Sequence, residues 1–446
     1  MKQFVLIILF LFSFNFTKSQ NDSGEKYLSD FKILVDKLEK LYPLVYKSIT
    51  KEQFDINVKE ANIQLILAKN KNQAAYIIQK FMHQFKDVHA SVSSIYENLG
   101  VKKILPFKVL IFKNELYIKN YPSNPKYNGA KINYIDNVNT KIIIECLKVL
   151  YSDDGNRLYG FVIQPLFNSF YAAFINQKDT FNVKTDKGLI TAPAVKTGDT
   201  LYNSLIKNSW VDYMMTDQDY LKKEITEKYG YFRFLSFDKK HNGFQIENEY
   251  NSLIANLNKK NIPNLIIDLR YNSGGDPYLC GRMVAQLIDK PFQLFEKILV
   301  KNSENTNFKN KDSFKEIHND KCLKTIKQSK KLFKGTIYII VGPMTGSTST
   351  MFCKYLMGQN NVVFVGSETP GAINYFCAHK YYSVNLPNIG IKTTFGLNLI
   401  ELKNGSSENE KPQGLIPENY IHYTIQEILN GKDKEMEWII KHITIN

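Results

Sequence analysis

Beyond its first residues the chain has no apolar run of transmembrane length, and cysteine is scarce, five in 446 residues. The set is odd in number and irregular in spacing (Cys146, Cys280, Cys322, Cys353, Cys377), which argues against a disulfide framework and a CxxC metal signature. HExxH and clustered His/Cys spacing are also missing, so the sequence offers no metal site and implies no cofactor. Without GxSxG, the common esterase fold is disfavoured. Lys and Arg exceed Asp and Glu by 58 to 43, a net charge of +15. The lysines are scattered among asparagines, with no long basic run interleaved with aromatics. That pattern describes a solvated lysine surface rather than a nucleic-acid interface.

What is present argues for an ordered, globular chain of two or three domains: 43% of residues are hydrophobic and 13% aromatic. Lys2, the apolar stretch Phe4 to Phe14, and the small or polar Thr17, Ser19 and Gln20 fit a signal peptide over residues 1–19. Its apolar part is too short to span a bilayer, so export to the periplasm or beyond is expected, with no membrane span. No cysteine stands near it to carry a lipid.

Residues 20–98 read as a helical subdomain. Leu28, Phe31, Leu34, Leu38 and Leu41 recur at helical spacing, and Ala74, Ile77, Ile78, Phe81, Met82 and Phe85 make a second stripe. His83 lies off that stripe and is expected to be exposed. Residues 99–204 turn to short β elements, among them PFKVLIF and LYIKNY around a Lys-Asn-Glu turn and a strand at Thr180–Thr185, with helices near Ile142–Leu150 and Gln164–Phe174. Residues 205–446 form the last unit. From Tyr229, buried strands alternate with helices, which implies a largely parallel sheet. A Lys- and Asn-rich excursion between Asn302 and Lys334 reads as a solvated insertion or lid.

Two loops leave the ends of proposed parallel strands, Arg270–Asp276 after NLIIDL and Gly342–Ser347 after IYIIV. In open α/β sheets such edges hold sites. A serine here, Ser347 or Ser349, stands where a strand gives way through a loop to a helix. Backbone N–H groups and the helix dipole at that point stabilise an oxyanion. With Ser347 as nucleophile, the N–H groups of Gly274 and Thr348 would form the oxyanion hole. The proton acceptor must be a histidine from elsewhere. His89, in DVHASV with Asp87 two residues before it, leads, and His379 is the runner-up.

The segment NLIIDLRYNSGG, ending at Gly275, resembles the DLRxNxGG signature of the C-terminal processing (tail-specific) serine peptidases, which include the tricorn core protease. The helix starting at Ser347 resembles that family's nucleophile segment, and Gly366-Ser-Glu-Thr-Pro-Gly371 its GExTxG turn. Ser347 stands nineteen residues before Gly366, the spacing that selects it over Ser349. YGYFRFLSF, from Tyr229, is similar to the strand entering the core, and Asp87-Val-His89 to a DGHxxL element. The family's bacterial branch uses a Ser/Lys dyad with Lys after the GExTxG turn, where this chain has Ala372. The resemblance therefore implies the non-Ser/Lys, tricorn-like branch, with His89 as base and a glutamate near the end of the core, Glu408 or Glu410, or else Asp87, orienting it. It implies a core of crotonase-like ββα units and a PDZ-like module, chiefly at Gly129-Ala-Lys-Ile-Asn-Tyr-Ile-Asp-Asn. The expected activity is that of a secreted serine endopeptidase acting on a peptide or protein. A catalytically inactive member binding peptides or apolar ligands is the alternative.

Overall fold

The computed structural model describes residues 18–93, 100–151, 159–205, 220–238, 245–302, 314–407 and 410–445. The signal-peptide reading falls almost wholly outside them. Three helices open the described chain, α1 (Lys18–Leu41), α2 (Lys51–Ile66) and α3 (Lys71–His83). Thr50 and Asn70 cap the second and third by accepting the N–H groups of Gln53 and Gln73. α3 buries its stripe through Ile78, Phe81 and Met82. His83 is buried too, contrary to expectation: its Nδ1 lies 2.7 Å from the Tyr151 carbonyl, so a polar partner brings it inside.

A short strand β1 (Ser91–Ser93) leads to an antiparallel sheet of β2 (Lys108–Phe112), β3 (Glu115–Asn120), β4 (Lys131–Ile135), β5 (Thr180–Thr185) and β6 (Gly188–Pro193). Helices α4 (Thr140–Lys148) and α5 (Tyr159–Phe174) stand between β4 and β5. One apolar core runs through α1–α3, this sheet and two later strands without interruption.

The second half is built on β7 (Leu221–Ile225), β8 (Tyr229–Phe234), α6 (Ile246–Lys260), β9 (Asn264–Asp268), α7 (Pro277–Val284), β10 (Lys297–Lys301), β11 (Thr336–Val341), α8 (Thr348–Leu356), β12 (Val362–Gly366), β13 (Tyr375–Leu386), β14 (Ile391–Glu401), β15 (Asn419–Tyr420) and α9 (Lys434–Ile445). The central sheet has the order β7-β8-β9-β11-β12-β15. All its pairs are parallel except β7–β8. Its strands read as unbroken apolar runs because alternate residues face two cores. Leu265, Ile267, Ile337 and Ile339 enter one core, while Ile266, Tyr338 and Ile340 meet Ile439 and Ile443 of α9 on the other face.

The other sheets are antiparallel, so the molecule is a mixed α/β fold with several sheets rather than a largely parallel one. Tight turns cause this: Lys113 and Asn114, both at positive φ, join β2 to β3 directly. The long hairpin β13–β14 was not anticipated; its β14 pairs with both β1 and β10. The basic excursion is not simply solvated either. Residues Phe314–Glu316 pair with β10, and Cys322 and Phe333 are buried.

At the end of β9 the fully buried Asp268 accepts from Arg270 Nη2 at 2.7 Å and from the Tyr231 hydroxyl at 2.8 Å. Arg270 also reaches Asp433 at 2.8 Å and Glu435 at 3.2 Å, fastening the start of α9 to the sheet. Burial opposes charge on Asp268, yet the Arg270 guanidinium holds its carboxyl below the ordinary range. A carboxylate with a lowered folded pKa contributes stability at neutral pH that is lost as pH falls through that pKa. Arg270→Met strands the buried carboxylate and is expected to cost about 3–5 kcal/mol, read by urea unfolding at pH 7.

Candidate active site

The loop after β9 and the loop after β11 lie against each other at the C-terminal edge of the central sheet, joined by hydrogen bonds. The Thr345 hydroxyl donates to the Leu269 carbonyl (2.7 Å), and the N–H groups of Met344 and Gly346 to the carbonyls of Arg270 (3.1 Å) and Asn272 (3.2 Å). Asn272, wholly buried, is the hub. Its Nδ2 donates to the Phe234 carbonyl (3.0 Å), and its Oδ1 accepts from the Gly274 N–H (3.0 Å) and the Ser349 hydroxyl (2.6 Å). Ser349 is thereby committed to the core.

Ser347 sits immediately before α8 with φ 51° and ψ −121°, a conformation rare for a residue with a side chain. Such a position costs on the order of 1–3 kcal/mol and survives only where its surroundings over-determine it. The surroundings here are two glycines. A Cβ on Gly274 would stand 2.8 Å from Ser347 Cβ, and one on Gly371 would stand 2.9 Å from Ser347 N. Gly371 closes the Gly366–Gly371 turn, so that turn is packed against the loop that carries Ser347.

His89 Nε2 lies 3.1 Å from Ser347 Oγ across 258 residues of sequence. Asp87 sits behind the imidazole. Its Oδ1 accepts the backbone N–H of His89 (2.9 Å) and stands 3.4 Å from His89 Nδ1. That last separation is longer than an ordinary hydrogen bond. Its Oδ2 accepts the hydroxyl of Tyr42 (2.7 Å), a residue just beyond α1 and fully buried against Phe85 and Phe395. Phe376 on β13 stacks on the His89 ring, with centroids 5.6 Å apart, and half-exposed Tyr381 stands at 6.5 Å. Partial desolvation, reinforced by the nearby Asp87 charge, pushes the phenol of this half-exposed ring up to about 12. Sequence reading missed Tyr42, Phe376 and Tyr381, which come from elements distant from His89 in sequence.

The other candidates lie elsewhere. Glu410 accepts from Asn374 Nδ2 (2.9 Å), and Glu408 falls outside the described residues. His379 turns its Nε2 to Asp320 (2.9 Å), and Cys377 is buried with its thiol donating to the Gly396 carbonyl. The expected oxyanion donors are the N–H groups of Gly274 and Thr348. The Gly274 N–H already has Asn272 Oδ1 as acceptor, because the residue two before it forms an Asx turn. Thr348 is the first residue of α8, and its N lies 2.9 Å from where a Gly274 Cβ would sit; its hydroxyl donates to the Gly275 carbonyl (2.7 Å). Gly274 is therefore required for its lack of a side chain.

Residues 228–376 match the family model for peptidase family S41. The matched span holds both loops, Ser347 and Phe376, whereas His89, Asp87 and Tyr42 come from outside it. Among solved structures, mature CPAF complexed with lactacystin is similar at 16% identity, covering 95% of this chain and 98% of that one, TM-score 0.64. Mature CPAF alone is similar at 16% identity over 94% of this chain and 97% of that one, TM-score 0.61. The tricorn protease aligns at 13% identity with 94% of this chain and 36% of that one, TM-score 0.42. No curated protein sequence matches. At these identities the likeness is one of fold.

Gly274→Ala places a methyl group against Ser347 Cβ at a glycine with φ 110°. The variant is expected to keep its far-UV circular dichroism and to lose labelling of Ser347 by a fluorophosphonate, read by intact-protein mass spectrometry.

Proposed function

With a peptidase family S41 domain at residues 228–376 as premise, we propose that this chain is a serine-type peptidase, acting as an endopeptidase with Ser347 as nucleophile and His89 as general base. The observation that carries this reading is the 3.1 Å separation of His89 Nε2 from Ser347 Oγ. An inactive binding member would have no need of that proximity, nor of the backbone strain at Ser347.

In the first half-reaction Ser347 Oγ attacks the scissile carbonyl while His89 Nε2 takes its proton. The oxyanion is met by the Thr348 N–H at the positive end of α8. His89 returns the proton to the leaving amine, and the acyl-enzyme forms. Water then enters, His89 takes its proton, and hydrolysis frees Ser347. Asp87 is the orienting acid: it stands behind His89, stabilises the imidazolium, and is itself steadied by Tyr42. Glu410 is too engaged with Asn374 to be preferred.

The described sheet between Lys108 and Pro193 with α4 and α5 supports a PDZ-like module in residues 99–204, docking the peptide as an added strand. Residues 20–98 remain the helical subdomain and 205–446 the peptidase core built of crotonase-like units. Lys2 and the Phe4–Phe14 stretch support export through a signal peptide. No helix among the described residues is long and apolar enough to cross a membrane.

Two measurements test the mechanism. A fluorophosphonate should label wild-type protein at Ser347, and Ser347→Ala should be inert to it; an unlabelled, folded wild type sinks the proposal. Against an unstructured protein substrate, His89→Ala should lower kcat by about 10³-fold or more. Tyr42→Phe should lower kcat by about tenfold with KM little changed, since it removes one hydrogen bond, of order 1 kcal/mol, from the acid behind the base.

A further inference from the structure

We propose that Asp320, Cys322 and His379 form a binding site for a thiophilic divalent cation of the zinc class. One donor atom from each lies within 4.8 Å of the other two. No spacing in the sequence announces the group, because Asp320 and Cys322 come from the basic excursion and His379 from β13. The structure brings the two segments together and invests local conformation in each.

Asp320 caps a single 3-10 turn, Lys321–Leu323, with Oδ1 accepting the Cys322 N–H at 2.8 Å. That leaves Oδ2 for His379 Nε2, at 2.9 Å. His379 stands at φ 72°, where the β13–β14 register slips between Ala378 and Tyr381. A side-chain residue at positive φ is uncommon in a strand, and here it aims the imidazole at Asp320 and Cys322. Phe295 joins the halves: its N–H donates to the Cys322 carbonyl (3.0 Å), and its ring meets the His379 ring edge-on at 5.5 Å.

The donor set is one sulfur, one imidazole nitrogen and one carboxylate oxygen. Thiolate and imidazole select zinc-like ions over calcium or magnesium, which take oxygen alone. The Asp320 and His379 side chains are 17% and 18% exposed, so solvent reaches the cluster while Cys322 stays buried. On binding, the Cys322 thiol releases its proton to solvent, the His379 ring keeps its one proton on Nδ1 so that Nε2 is free to ligate as neutral imidazole, and metal–sulfur, metal–nitrogen and metal–oxygen bonds form. Thiolate and carboxylate together balance the dication, and water completes a four-coordinate shell. Occupancy would staple the excursion to β13, the strand whose Phe376 stacks on His89.

The full-length, chelator-treated protein is titrated with Co²⁺ and then with Zn²⁺. Expected are a near-ultraviolet thiolate-to-cobalt charge-transfer band saturating at a single equivalent, its displacement by Zn²⁺, and a Tm raised by Zn²⁺. Cys322→Ser should lose the band, and His379→Asn, which tolerates positive φ, should weaken binding by more than the ~10–100-fold typical of losing an outer-shell partner. A wild-type protein without the band overturns the assignment, as does a band that persists in folded Cys322→Ser. Because the readout is spectroscopic, the outcome is independent of peptidase activity.

Discussion

The buried side-chain amide of Asn272 is the constraint on which the site depends. One oxygen receives both the Gly274 N–H and the Ser349 hydroxyl, and the same side chain donates to the Phe234 carbonyl. A single residue thus joins the strand β8, the glycine loop and the first turn of α8. An unpaired amide in a dry interior is costly, so each of these bonds is enforced by the others. With the loops registered in this way, Gly274 and Gly371 press on Ser347 from two sides, and the unusual backbone at Ser347 follows from their packing.

His89 is held by a different kind of support. His89 belongs to the turn after α3, and the first half of the molecule carries it to the sheet edge through the short pairing of β1 with β14. The apolar core shared by α1–α3 and the β13–β14 hairpin makes that pairing stable. Tyr42, Asp87 and Phe376 then fix the ring from behind and from its face. Ser347 and His89 therefore rest on separate cores, and their 3.1 Å approach depends on how those cores are seated together. Arg270 performs a comparable task on the far side, where it ties α9 to the sheet end just ahead of the glycine loop.

Much of the second half was legible. NLIIDL and IYIIV read as buried strands because both faces of the central sheet are covered, and the structure has strands at Asn264–Asp268 and Thr336–Val341. Thr180–Thr185 has the bounds expected for it. The antiparallel hairpin at 375–401 was not legible, since its residues alternate only partly and its pairing partners β1 and β10 are remote. His83 was misjudged because an amphipathic stripe says nothing of a buried polar residue with a carbonyl partner. The Asx turn that holds the Gly274 N–H on Asn272 Oδ1 was not read, although the Asn two residues earlier was its signal.

The sequence by itself determined that a serine would stand between a buried strand and a helix, beside a glycine loop, because both features are local and lie within one alternating strand–helix pattern. It also removed a lysine from the position after the Gly366–Gly371 turn, since the methyl side chain of Ala372 has no proton to exchange. Only the tertiary structure decided which histidine faces that serine, that Asp87 and Tyr42 stand behind it, and that Asp320, Cys322 and His379 converge. Those contacts join residues up to 258 positions apart. The approach of His89 to Ser347 is set by the docking of two apolar cores, and no local pattern in a chain encodes the distance between side chains on separate cores.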